Sequence, residues 1–272
     1  MRGTLELTAE LDSLGGTVLS HRLASPPFFV SKPYDHGNRL QVQVQQVGPG
    51  LFGGDETSVR VEVKSGAHLM LISPSAVRLL PRGGLASTQR QEFVVENGAG
   101  LEVWPEPLFP HRESMCRQEN RISVEPGASV FWFESLAPGR DASGERYLWR
   151  SLDLQTILSA GSRPILWERF QGSGEEWAAL ARAFPKMQGW TGTFFAYTAD
   201  SEFPRYLRAE LTGRRDMAAF GISEPHPGLL VLKFMGRDGH EVRTLKTALM
   251  ETVRLWLLTD ETPTDSRVGA IS

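Results

Sequence analysis

The chain has 272 residues, 40% of them hydrophobic and 22% charged, with a formal net charge of −3. That length can bury a full core in one large β domain or in two smaller domains. The near-neutral balance gives no global attraction to nucleic acid or an anionic membrane, and no apolar run approaches the roughly 20 residues of a membrane helix.

The first residues, MRGTLELTAELDSLGG, alternate with charge and lack the apolar stretch of a signal peptide. With a single cysteine, Cys116, no disulfide framework forms within the chain, so the expected setting is the reducing cytoplasm. Leu40 to Val47 alternates Leu40, Val42 and Val44 with glutamines, the pattern of a strand with one wet face. A phrase then occurs three times: Val59 to Ser73, Gln91 to Glu106 and Asn120 to Glu134 each place a Gly-Ala pair between two alternating apolar stretches. The pivots Gly66-Ala67, Gly98-Ala99 and Gly127-Ala128 stand 32 and 29 residues apart. Glycine allows a positive φ at the turn, and the small alanine fits beside the next strand.

Such a repeated strand–turn–strand unit is compatible with a sandwich, a barrel or a stack of coils, and the similar periods favour stacking. Two more strands are expected at 156–159 and 164–170, so residues 1–170 read as continuous β structure. From 171 to 258 the texture is mixed. A helix is expected over 174–184, stopped by Pro185, followed by a strand over 190–198. A second helix is expected over 200–212, capped by Asp200 or Ser201, then a buried strand over 229–235. The last helix carries Val242, Leu245, Leu249, Val253, Trp256 and Leu257 on one face, with Glu241, Arg243, Lys246, Glu251 and Arg254 opposite. The polar segment 259–272 is expected to be disordered. The fold class is thus mainly β, with two or three helices in the C-terminal third and residues 1–258 forming one domain.

No catalytic signature is present, so no catalytic residue is assigned. The six histidines are scattered, and His68, beside the first Gly-Ala turn, reads as structural. Gly53-Gly54-Asp55 is either a turn closed by its aspartate or a stiff loop presenting an acid. Glu106, Glu134, Glu145 and Glu168 also stand next to apolar strand residues, with Arg140, Arg146 and Arg169 as natural partners. Alternation puts Glu134 on the face of Trp132, opposite Phe131 and Phe133. A polar passage and a set of structural salt bridges are both compatible with these charges.

The assembled motifs resemble the UreD (UreH) family of urease accessory proteins. They are Pro49-Gly50-Leu51-Phe52-Gly53-Gly54-Asp55, Gly66-Ala67-His68-Leu69-Met70-Leu71-Ile72-Ser73, Trp104-Pro105-Glu106-Pro107 and Pro126-Gly127-Ala128. Further on come Phe131-Trp132-Phe133-Glu134, Ala137-Pro138-Gly139-Arg140, Gly144-Glu145-Arg146, Pro164 to Phe170 and Gly228 to Lys233. The chain departs from the common family pattern at Ile72-Ser73, Glu106 and Lys233. The resemblance implies a right-handed β-helix-like stack of strands and a non-enzymatic maturation factor. It also implies partnership with apo-urease, UreF and the GTPase UreG, and transient handling of nickel without a tightly bound cofactor. On this reading Asp55, Glu134, Glu145 and Glu168 are passage or interface carboxylates, supported by Gly53, Gly54, Arg140 and Arg169. A β-helical carbohydrate-active enzyme and a generic strand-repeat scaffold are the rival readings.

Overall fold

A computed structural model describes residues 1–36, 39–183, 189–214 and 217–260. The chain opens with β1 (Arg2–Leu11), β2 (Thr17–Ala24), β3 (Phe28–Val30), β4 (Tyr34–His36), β5 (Arg39–Gln46) and β6 (Leu51–Phe52). The repeats supply β7 (Glu56–Val63), β8 (His68–Ile72), β9 (Val77–Leu80), β10 (Ser87–Val95), β11 (Gly100–Trp104) and β12 (Leu108–Pro110). Next come β13 (Met115–Val124), β14 (Ser129–Leu136), the small hairpin of β15 (Gly139–Arg140) and β16 (Glu145–Arg146), β17 (Ser151–Ala160) and β18 (Arg163–Gly172). The remainder is α1 (Gly174–Ala183), β19 (Trp190–Tyr197), α2 (Phe203–Leu211), β20 (Ala219–His226), β21 (Leu229–Gly236) and α3 (Gly239–Asp260).

The three repeats wind as a β-solenoid of about four turns. In each repeat the strand before the Gly-Ala pair joins one sheet, and the strand after it joins a second. The first sheet stacks β1, β7, β10, β13 and β17 in parallel, with β2 and β18 antiparallel at its margins. The second stacks β5, β8, β11 and β14 in parallel, and β19, β21 and β20 extend it antiparallel. Short β6, β9 and β12 stack in parallel as a third side of the coil.

The pivots explain the winding. Gly66, Gly98 and Gly127 have φ of 75°, 65° and 74°, and each following alanine N–H donates to the carbonyl three residues back. A positive φ at the third turn position is the glycine requirement of a type II turn. Ala67, Ala99 and Ala128 are buried, and the carbonyls of Ala67 and Ala99 accept the N–H of Gly100 and Ser129 in the next coil. A larger side chain would overfill that point between the sheets.

Two cores share the second sheet. Val61, Val63, Phe93, Val95, Leu101, Ile122, Val130 and Trp132 are among those packed between the sheets. On the other face, Phe131, Phe133, Phe194, Leu232 and Phe234 meet Phe203, Leu207 and Leu211 of α2 and Leu245, Leu249 and Val253 of α3. Trp132 and Phe131 therefore face opposite ways, as alternation predicts. Each fully buried Val, Leu or Phe contributes about 1.5–3 kcal/mol.

Several expectations need correction. Helix α2 starts at Phe203 with Glu202 at its cap position and no side-chain cap; Asp200 instead accepts the Glu202 N–H at 2.9 Å. Pro204 stands in the first turn, where a missing N–H costs no helical bond. Glu241 and Lys246 do not lie on a wet face of α3; both are buried, Glu241 on the Arg237 N–H at 2.8 Å and Lys246 on Glu106. Strand β20 is not among the expected strands: only Phe220 and Ile222 alternate onto the helix-side core, the rest of it is polar, and it is held by pairing to β21. Helix α3 continues through Asp260; the rest of the expected tail, 261–272, and Pro185 lie outside the described residues.

Candidate functional site

Inward-facing positions can be counted from the pivots. Three and five residues before each glycine stand Val63, Val95 and Val124, then Val61, Phe93 and Ile122. Seven and nine before stand Val59, Gln91 and Asn120, then Thr57, Gln89 and Gln118. Parallel register makes each set a row across neighbouring strands. The interior is thus apolar near the Gly-Ala turns and turns polar farther from them.

The polar rows form a hydrogen-bonded chain across the stack, because strands about 4.8 Å apart bring like positions into reach. Gln46 Nε2 donates to Gln89 Oε1 at 3.3 Å, and Gln89 Nε2 to Gln118 Oε1 at 3.1 Å. Gln118 Nε2 continues to Asn120 Oδ1 at 3.4 Å, and Asn120 Nδ2 to Thr156 Oγ1 at 2.9 Å. Thr156 Oγ1 donates to Glu134 Oε2 at 2.9 Å, and Trp132 Nε1 donates to the same oxygen at 3.1 Å. These side chains line a cavity of about 720 Å³ between the sheets. At about 30 Å³ per water it has room for on the order of twenty.

Two of the four sequence-selected carboxylates lie here. Glu134 and Glu168 line the cavity from opposite sheets, and Lys233 Nζ of β21 bonds Glu168 Oε2 at 2.5 Å. Burial pushes the Glu134 carboxyl above the usual range. Nearby Glu168 adds to this, against the Trp132 and Thr156 hydrogen bonds and the Lys233 charge.

The other two lie elsewhere. Asp55, 2% exposed, closes a turn: its carboxylate accepts the Phe52 N–H at 2.9 Å, the Met1 ammonium at 2.8 Å and Arg82 Nη2 at 3.0 Å. Burial opposes ionisation, but these donors hold the Asp55 carboxyl below the usual carboxylate range. Gly53 is required for close approach, since a Cβ there would sit 2.2 Å from the Leu85 carbonyl oxygen, and Gly54 has φ of 82°. Glu145 takes a two-point contact from Arg140, at 2.9 and 2.7 Å, on the small hairpin. Arg169 pairs with Asp153, at 2.9 and 3.1 Å, rather than with one of the four carboxylates.

A buried ionic group on the other face of the second sheet escapes the sequence reading. Glu102, 1% exposed, accepts Arg39 Nη1 at 2.9 Å and Trp104 Nε1 at 3.1 Å, with His68 Nε2 3.2 Å away. Burial works against its charge, yet His68, Arg39 and Trp104 together keep its carboxyl below the ordinary range. Its sequence signal is a charge inside the apolar run Leu101-Glu102-Val103-Trp104, on the face of Trp104. Glu106 likewise finds the buried Lys246, Nζ to Oε1 2.8 Å. The amide rows also escape it, although alignment of the repeats on their pivots makes them visible. Among the described residues no three His, Cys, Asp or Glu side chains converge as a metal site, and no helix is long and apolar enough to cross a membrane.

Comparison with known proteins gives a consistent answer. The family model described as UreD urease accessory protein matches residues 1–269. A urease accessory protein UreD of Opitutus terrae is 35% identical over 250 residues, covering 91% of this chain and 92% of that one. UreD of Dechloromonas aromatica is 29% identical over 237 residues, covering 84% and 80%. UreD 1 of a Synechococcus species is 36% identical over 148 residues, covering 53% and 56%. The chain belongs to the UreD family of urease accessory proteins, which serve urease maturation and are not themselves enzymes.

Proposed function

We propose that this chain is the scaffold through which nickel reaches apo-urease in the cytoplasm, bridging urease to UreF and the GTPase UreG. The observation that carries this reading is the amide and carboxylate chain from Gln46 to Glu134 along the cavity. Nickel accepts carboxylate and carbonyl oxygens, and transit requires successive weak sites rather than one tight cage. Amide oxygens supply weak ligands, and Glu134 and Glu168 supply a stronger pair at one end. Asp55 and Glu145 serve the scaffold: the first locks the turn before β7, and the second is an exposed ion pair available to a partner.

The test is co-expression with urease, UreF and UreG. The chain is expected to co-purify with apo-urease and to raise urease nickel content. A folded chain that neither associates with urease nor changes its nickel content would contradict the proposal.

A further inference from the structure

Lys233 lines the cavity on the strand that follows β20. It stands in β21 between Leu232 and Phe234, both buried against the helices, so alternation turns it toward the first sheet. Register sets Glu134, Thr193 and Lys233 in one row across β14, β19 and β21, and pairs Thr156 with Glu168 across β17 and β18. The Lys233–Glu168 bond therefore ties one sheet to the other at the end of the cavity that Glu134 lines. Lys233 is 64% exposed, so its ammonium sits at the mouth and not in the interior. The other cation lining the cavity, Arg169, is held by Asp153. Two buried polar atoms lining the same cavity make no hydrogen bond among the described residues, Gln46 Oε1 and the hydroxyl of Ser135, which is 7% exposed.

We propose that Lys233 is a tethered cation that occupies Glu168 and closes this mouth, and that a divalent metal ion gains the Glu134–Glu168 pair by displacing it. The inference rests on the passage reading above and adds its control. Lysine suits the role because its ammonium is a compact charge on a flexible four-carbon stem and can swing aside into water. When it does, Glu168 is released without a change in either sheet. Lys233 is accordingly a positioning residue that acts through Glu168.

The test is titration of the purified full-length chain with nickel(II), followed by calorimetry, for the wild type and for Lys233→Met, Lys233→Arg and Lys233→Met/Glu168→Gln. Removing a neighbouring like charge is expected to tighten nickel binding about tenfold in Lys233→Met. Lys233→Arg should stay near the wild type, and the double variant should lose the gain. Lys233→Gln replaces the methionine variant if that one does not fold. Nickel binding no tighter than wild type after loss of the ammonium, or a gain that survives Glu168→Gln, would overturn the proposal. The passage reading fails separately: Lys233→Met with tighter binding, beside undiminished nickel delivery by Glu134→Gln/Glu168→Gln chains, leaves a gated ion site that is not on the route.

Discussion

Two halves of one interior, enclosed by the same two sheets, have opposite chemistry. Next to the Gly-Ala turns, the row of Val63, Val95 and Val124 is dry and closely packed. A few residues away along the same strands, Gln89, Gln118, Asn120 and Thr156 line a cavity, faced by Glu134 from the second sheet. Backbone pairing is continuous through both, so pairing does not distinguish them. A buried polar group costs about 1–3 kcal/mol when its hydrogen bonds are unmet, and fully met ones return little net stability. The dry half therefore supplies most of the solenoid's stability, and the wet half is the part to which the proposed passage belongs.

The largest effect is expected where the dry half meets the cavity. Phe93 is 2% exposed and meets the Trp132 ring edge-on at 4.9 Å between centroids. Phe93→Ala should cost about 3–5 kcal/mol in thermal or urea unfolding. A loss below about 1 kcal/mol would mean that the stack does not depend on this packing.

Next comes Asp55, which belongs to neither half. Asp55→Ala removes a carboxylate with three donors and should cost about 1.5–3 kcal/mol. Its folded value lies below the ordinary 3.8, so its stabilisation is present above that value and is lost as pH falls through the lower folded value. The gap between wild type and variant should therefore close on acidification, as unfolding measured from pH 7 down to pH 3 would show. A gap that stays constant over that range would remove the carboxylate's charge from the explanation.

The Gly-Ala phrase made the solenoid legible in the sequence, because a turn glycine and a small buried alanine are local requirements that the chain states outright. Alternation also separated Trp132 and Glu134 from Phe131 and Phe133. What is missed depends on neighbours distant in sequence. Gln89 and Gln118 look like wet-face residues until register sets them beside each other between sheets. Nothing near Asp55 indicates that the Met1 ammonium and Arg82 converge on it, and nothing near Lys246 foretells its bond to Glu106, 140 residues away. Charges whose partners come from other coils are the ones for which single-strand reasoning finds no role.

The smallest effect on stability and the largest on function are expected together at the wet end. Glutamine at 134 can still accept from Trp132 and Thr156, and it has no charge to bury. Because the Glu134 carboxyl is raised, the wild type loses stability as pH climbs above the ordinary 4.5, so Glu134→Gln should equal or exceed it at neutral pH, by under about 1 kcal/mol. The direct test of the wet half as a route is the nickel content of urease matured in cells with a Glu134→Gln/Glu168→Gln chain in place of the wild type. Severalfold lower nickel, with the variant folded and still bound to urease, is the result predicted here. Urease with undiminished nickel from that variant would contradict it.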